Sequence, residues 1–410
     1  MRIKFKIKKH VLNNGLKIFL IPMRREIVSF YVIYRVGSRN ESEGKRGISH
    51  LLEHMMFKGT DKLKPEEFSR IIQKMGGVDN AFTTEDFTLY YETIPSDAIY
   101  KVIEMEADRM QNIKFNEFES ERKVVIEERK ERTENSPFGR FWENFSLISY
   151  SVHPYRYPVI GFEQDLLNIK KTDLIKWYNT YYSPDNAFIV ISGGLDEKKV
   201  IKHMEKTFGK INKKAKRNPH IFFEPEQKGE RRMILKEGGM LKILGISFQI
   251  VPFNHPDFLP LSIFSSIIGG TESSRLNRIL VLEKNLSNEV STFCEEKIDN
   301  GLFIFYSILN KNSSFDDVID VFWKEVEKIK KQGIKENELN KVKNMFSSEF
   351  LYRLQSTSGR AYMVSHFEFH GILQKLFTYL DEIEKLKVSD VVDVCGKYIK
   401  KERANYLMLC

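Results

Sequence analysis

The sequence is poor in cysteine: three residues in 410, Cys294, Cys395 and Cys410, far apart and in no metal-ligand spacing. That scarcity argues against a disulfide framework and suits a reducing compartment, so the expected location is cytoplasmic. Long apolar runs are missing too. No stretch approaches the ~18 residues that cross a bilayer, so no membrane span is expected. The N-terminal MRIKFKIKKHVLNNGLKIFLIPM is basic, but it has neither a long apolar segment nor a small-residue cleavage site. Strands flanking a turn at Asn13-Asn14-Gly15 describe it better than a signal peptide does. Nor is there a compact basic block with interleaved aromatics. The net charge of +9 is spread along the chain among acids, as in EERKER, so it reads as solvated helix faces. No nucleic-acid partner is expected.

What is present is a globular composition, 41% hydrophobic and 30% charged, on a chain long enough for two or three domains. The clearest break is KKAKRNPHIFFEPEQKG at residues 213–229, charged and interrupted by Pro219 and Pro225. It divides residues 1–212 from residues 230–410, and the two parts resemble each other. Each opens with a β-branched strand, VSFYVIYRVGS at 28–38 and LKILGISFQIVPF at 241–253, followed by an apolar helix ending in Gly-Thr. Each closes on a capped amphipathic helix, a tyrosine turn and an apolar strand: KKTDLIKWYNTYYSPDNAFIVISGG and KVSDVVDVCGKYIKKERANYLMLC. The expected class is α+β: two tandem homologous domains, each a mainly antiparallel sheet with helices packed on one face.

The chemistry concentrates in GISHLLEHMMFKGT. On a helix, His50 and His54 lie one turn apart on one face and can offer two imidazole nitrogens to a single ion. Glu53 sits beside that face, placed to take a proton from a water on the metal without being a ligand itself. The order H-x-x-E-H inverts the common zinc-peptidase motif. A second pair, His366 and His370, is also four apart. Its glutamate, Glu368, points about 200° from His366 around a helix, which suits a packed helix better than a metal site.

A catalytic zinc takes three protein ligands and leaves one position open. The third is sought in NEFESERKVVIEERKERTENSP, a helical stretch that Pro137 ends. Glu121, Val125 and Glu128 share one stripe, which favours Glu128 over Glu127 and Glu131. A solvent-facing charged helix would show the same pattern.

At these residues the chain resembles the pitrilysin, insulinase and mitochondrial-processing-peptidase family of inverted zinc metallopeptidases, in its short bacterial two-domain form. The blocks HLLEHMMFKGT, GGVDNAFTTEDFTLYYETI, ERKVVIEE, HPYRYPVIG, YYSPDNAFIVISGG and GGTESSRL stand in family order over nearly the whole chain. The resemblance implies one zinc ion per chain on His50, His54 and Glu128, with Glu53 as general base and Glu121 supporting the site from behind. It also implies that a peptide substrate adds as a strand along Asn80, Ala81, Phe82 and Thr83, inside a chamber closed like a clamshell.

One family feature is missing. Where the second domain often carries an Arg and a Tyr in a block like R-E-K-R-G-L-A-Y, this chain has VLEKNLSNEV, with Leu282 and Asn288 at those places. Aligning the internal repeat also sets Leu261, Phe264 and Ser265 opposite His50, Glu53 and His54, so the second half is expected to hold no metal. The expected assembly is a dimer in which a zinc-less homologous subunit supplies the Arg and Tyr. Two other readings of the same fold are a non-catalytic peptide-binding or scaffold subunit, and a presequence-processing peptidase.

Overall fold

The computed structural model describes residues 5–214, 222–237, 239 and 241–410. Its first strands, β1 (Lys8–Val11) and β2 (Lys17–Pro22), pair as a hairpin whose turn passes through Gly15 at φ +91°. β3 (Ile27–Tyr34), β4 (Val78–Thr83), β5 (Thr88–Pro95) and β6 (Ala187–Gly193) complete a sheet of order β1-β2-β6-β3-β5-β4. β7 (Arg231–Leu235), β8 (Lys242–Gln249), β9 (Ser287–Cys294), β10 (Leu302–Leu309) and β11 (Asn405–Leu409) form a second sheet of order β7-β11-β8-β10-β9.

Without β1 the two orders coincide strand for strand, and each sheet has its parallel pair in the same place, β2 with β6 and β7 with β11. The tandem α+β architecture expected from the sequence is the one observed. In each half the closing helix, Lys171–Tyr181 or Val388–Tyr398, returns the chain so that its last strand inserts between two earlier ones, β6 between β2 and β3 and β11 between β7 and β8.

The opening strands end earlier than their sequence runs, at Tyr34 and Gln249, and they lack a polar face. Seven of the eight residues of β3 are buried, because both faces of the sheet are covered. One face of the first sheet, with Leu20, Phe30 and Val32, packs on helices of its own half. The opposite face, with Phe19, Tyr31, Ile33 and Val190, receives Val364 and Phe367 from the helix Thr357–Phe369. The second sheet is covered reciprocally: Ile243, Ile304 and Leu407 meet Phe141 and Phe145 of the helix Pro137–Ser149.

Each half thus lends a helix to the other's sheet. The expected linker at 213–229 falls partly outside the described residues, at 215–221. Its last part is anchored: Glu224 accepts backbone N–H groups of Val152 at 2.9 Å and His153 at 2.8 Å. Among the described residues no helix is long and apolar enough to cross a membrane.

Candidate metal centre

The helix Ile48–Met55 starts at Gly47, whose φ of +90° and 2.4 Å approach of its would-be Cβ to the Ile160 carbonyl both require glycine. Glu41 accepts the N–H groups of Gly47 at 2.7 Å and Ser49 at 2.8 Å, satisfying donors that a helix start leaves free. Leu51, Leu52 and Met55 are fully buried in the core. That packing turns His50 and His54 to the other side, with ring centroids 4.7 Å apart.

The facing helix, Phe118–Arg129, buries Val125 completely and sets Glu121 and Glu128 on the same stripe. Glu127 points outward to Lys130, and Glu131 is exposed. Arg129 turns the other way, to Glu143 and the Gly161 carbonyl, each at 2.7 Å. Among the described residues, His50, His54 and Glu128 form a group whose possible ligand atoms all lie within 4.8 Å of one another. Glu128 Oε2 is 3.3 Å from His54 Nε2 and 4.0 Å from His50 Nε2. Arg132 takes the other oxygen of Glu128 at 2.6 Å. Glu121 stands behind His54, 3.2 Å from Nδ1, and its second oxygen is 2.9 Å from Lys58.

The donor chemistry fits a divalent cation: two imidazoles, one carboxylate, and a carboxylate behind one imidazole to orient it. His50 Nδ1 is buried without a hydrogen-bond partner among the described residues, so nothing there commits this imidazole to another role. Burial and the neighbouring His54 hold the His50 imidazolium pKa down to about 4, which keeps its lone pair available. At His54 burial works downward, but hydrogen bonds to Glu121 and Glu128 carry the pKa up to about 9. Glu128 is held below the usual carboxylate range by its hydrogen bond to His54, against burial.

Glu53 is buried beside this group, with 9% of its surface exposed. Burial raises its carboxyl pKa, opposed by the Thr83 hydroxyl, which donates to Oε2 at 2.6 Å. Thr83 ends β4, an edge strand that pairs with β5 alone. Along β4 the side chains alternate: Ala81 packs with the core on the helix side, whereas Phe82 joins the cluster on the other face and lies 5.8 Å from Phe87. Asn80 is exposed, and its side chain accepts the N–H of Ala81 at 2.8 Å. The contact of Thr83 with Glu53 is what the sequence reading missed. Nothing local in the sequence shows which helix lies beneath this strand.

In the second half, Leu261 and Phe264 are fully buried and Ser265 nearly so, on the helix Phe258–Ile268. His366 and His370 belong to the packed helix instead: both are buried, His366 Nε2 lies 3.0 Å from Glu296, and Glu368 turns toward Lys17 at 3.6 Å. Leu282 is 74% exposed, and Asn288 is exposed on β9.

The two matching sheets and the convergence of His50, His54 and Glu128 define a tandem α+β chain with a candidate metal centre. Residues 23–161 match the family described as Insulinase (Peptidase family M16), and residues 168–346 match the one described as Peptidase M16 inactive domain. The chain is 34% identical over 406 residues to the zinc protease PqqE of Helicobacter pylori, covering 97% of this chain and 91% of that protein. A crystal structure of a protease from Helicobacter pylori superposes with a TM-score of 0.95 at 33% identity, covering 99% of this chain and 100% of that one. The mitochondrial-processing peptidase subunit beta of Lentinula edodes is 25% identical over 386 residues, 88% of this chain and 81% of that protein. The chain belongs to peptidase family M16, the insulinase family.

Proposed function

We propose that the chain is a zinc metalloendopeptidase that cleaves peptides or unfolded polypeptides, with one zinc ion on His50, His54 and Glu128. The observation that carries this reading is the approach of two imidazoles from one helical turn and a carboxylate from a separate helix to within 4.8 Å of one another. Zinc in such a site supplies a Lewis acid that polarises the scissile carbonyl and acidifies water. Glu53 takes the proton of the attacking water and passes it to the leaving amine, which its burial and raised pKa suit. Glu121 keeps the His54 ring turned to the site. Asn80, Ala81, Phe82 and Thr83 offer an unpaired edge that binds substrate backbone whatever its side chains, in an enclosed chamber.

The chain works as the catalytic subunit of a dimer, its partner a zinc-less homologue supplying the Arg and Tyr that Leu282 and Asn288 replace. That a relative is named as a subunit of a processing peptidase supports a multi-subunit arrangement. The domains are assigned as residues 1–212, a junction at 213–229, and residues 230–410 without metal.

The test couples metal analysis to cleavage of a quenched fluorescent peptide, with and without chelator and candidate partner. Glu53→Gln should keep its metal and lose turnover, whereas His54→Ala and Glu128→Ala should lose the metal. Full metal content in Glu128→Ala would refute the ligand set, and turnover by Glu53→Gln would remove the base.

A further inference from the structure

The loop between β9 and β10 belongs to the half without ligands, yet it reaches the turn that follows β4. Lys297 Nζ donates to Glu85 Oε2 at 2.6 Å, and the Ile298 N–H donates to Asp86 Oδ2 at 3.1 Å. The other oxygen of Asp86 accepts from Arg39 at 3.0 Å and from the Tyr155 hydroxyl at 2.5 Å. Arg39 also reaches Asp299 at 2.6 Å, and His153 Nε2 lies 3.0 Å from the same carboxylate. Asp86, Arg39 and His153 are all at least nine-tenths buried. From the first half, the N–H groups of Ser38 and Arg39 donate to the carbonyls of Thr84 at 3.1 Å and Glu85 at 2.9 Å. At Gly37 a Cβ would come within 2.4 Å of the Thr84 carbonyl, so the turn is packed backbone against backbone.

This turn continues directly into Thr83, whose hydroxyl holds one oxygen of Glu53. β4 has a neighbour on one side only, and the end of such a strand frays unless something holds it. A base displaced by ~1 Å can lose about a hundredfold in rate. We propose that the metal-free half takes part in the reaction through this loop: it clamps the Thr84–Phe87 turn, the turn sets Thr83, and Thr83 orients the carboxylate of Glu53. Thr83 and Lys297 are positioning residues, and their catalytic effect rests on the peptidase reading above. Burial would raise the Glu85 carboxyl, but Lys297 outweighs it and holds the carboxyl below its usual range, so the clamp is a charged pair.

Full-length Thr83→Val, Thr83→Ser and Lys297→Met are compared with wild type for kcat, KM, bound metal, Tm and amide hydrogen exchange of the metal-free protein. Thr83→Val should lower kcat by about 10- to 100-fold at unchanged KM and metal content. Thr83→Ser, which keeps the donor, should recover most of it. Lys297→Met should lower kcat in the same way and speed exchange across residues 79–87, leaving the helix Ile48–Met55 as protected as before. Wild-type kcat in Thr83→Val, equal damage in Thr83→Ser, or unchanged exchange at 79–87 in Lys297→Met would each overturn the inference. A zinc-loaded wild type that cleaves no peptide, with or without partner, overturns the peptidase reading itself. The exchange experiment judges the clamp independently of that result.

Discussion

Burial acts on single protons in more than one place, and Lys213 isolates the effect. Its ammonium donates to the Tyr178 carbonyl at 3.1 Å and lies 3.5 Å from the Tyr178 ring, and burial lowers its pKa to about 7. The unfolded chain holds this proton up to the ordinary lysine value, so between the two pKa values it binds more protons than the folded one. Stability should therefore rise as pH goes up through that window, and the full cost of a buried charge should remain below about pH 7. Lys213→Met removes the charge. It should melt above wild type at about pH 6, with the gap narrowing towards about pH 10; a gap independent of pH would mean that Lys213 is solvated.

Exchange of helices dominates at the scale of elements. Helix Pro137–Ser149 begins with Ser136 capping the Gly139 N–H at 3.2 Å and with Pro137 in its first turn, so its existence is a local matter. Its destination is not. Phe141 and Phe145, stacked at 5.6 Å, press on β8 where Gly245 has no side chain, and a Cβ there would lie 2.6 Å from Phe145. Gly245→Val should destabilise the chain by about 1–3 kcal/mol, since added methyls would overpack against two buried rings. Chemical denaturation measures this, and wild-type stability in the variant would show that the two layers slide freely.

The same distinction runs through the site. The helix carrying His50 and His54 was legible from four-residue spacing, and the stripe of Glu121, Val125 and Glu128 already favoured Glu128 over Glu127 and Glu131, as the family resemblance also implied; the helix Phe118–Arg129 sets Glu128 3.3 Å from His54 Nε2. The family resemblance implied that Thr83 lies on the strand to which substrate adds. Its hold on Glu53 joins residues 30 positions apart and leaves no local pattern.

For the whole molecule, the lent helices mean that neither half closes its own core. Cut off within residues 213–229, the first half would expose Phe19, Tyr31, Ile33 and Val190, and the second would expose Ile243, Ile304 and Leu407. Patches of that kind drive association. Each half expressed alone should aggregate or bind an apolar dye, and co-expression of the two should restore a soluble, metal-binding pair. A half that is monomeric and cooperatively folded by itself would contradict this. Assembly follows the same logic one level up: added to a homologue bearing the Arg and Tyr, the purified chain should gain peptide turnover at unchanged metal content.

The amino-acid sequence by itself pointed to the two histidines and the glutamate beside them, and to the tandem α+β plan. These follow from side chains a turn apart and from patterns repeated within one chain, which are local or self-similar. Tertiary structure alone decided which hydroxyl holds the base and which half covers each sheet. Those outcomes depend on how distant helices and loops pack, and packing energy is shared among residues that no spacing rule connects.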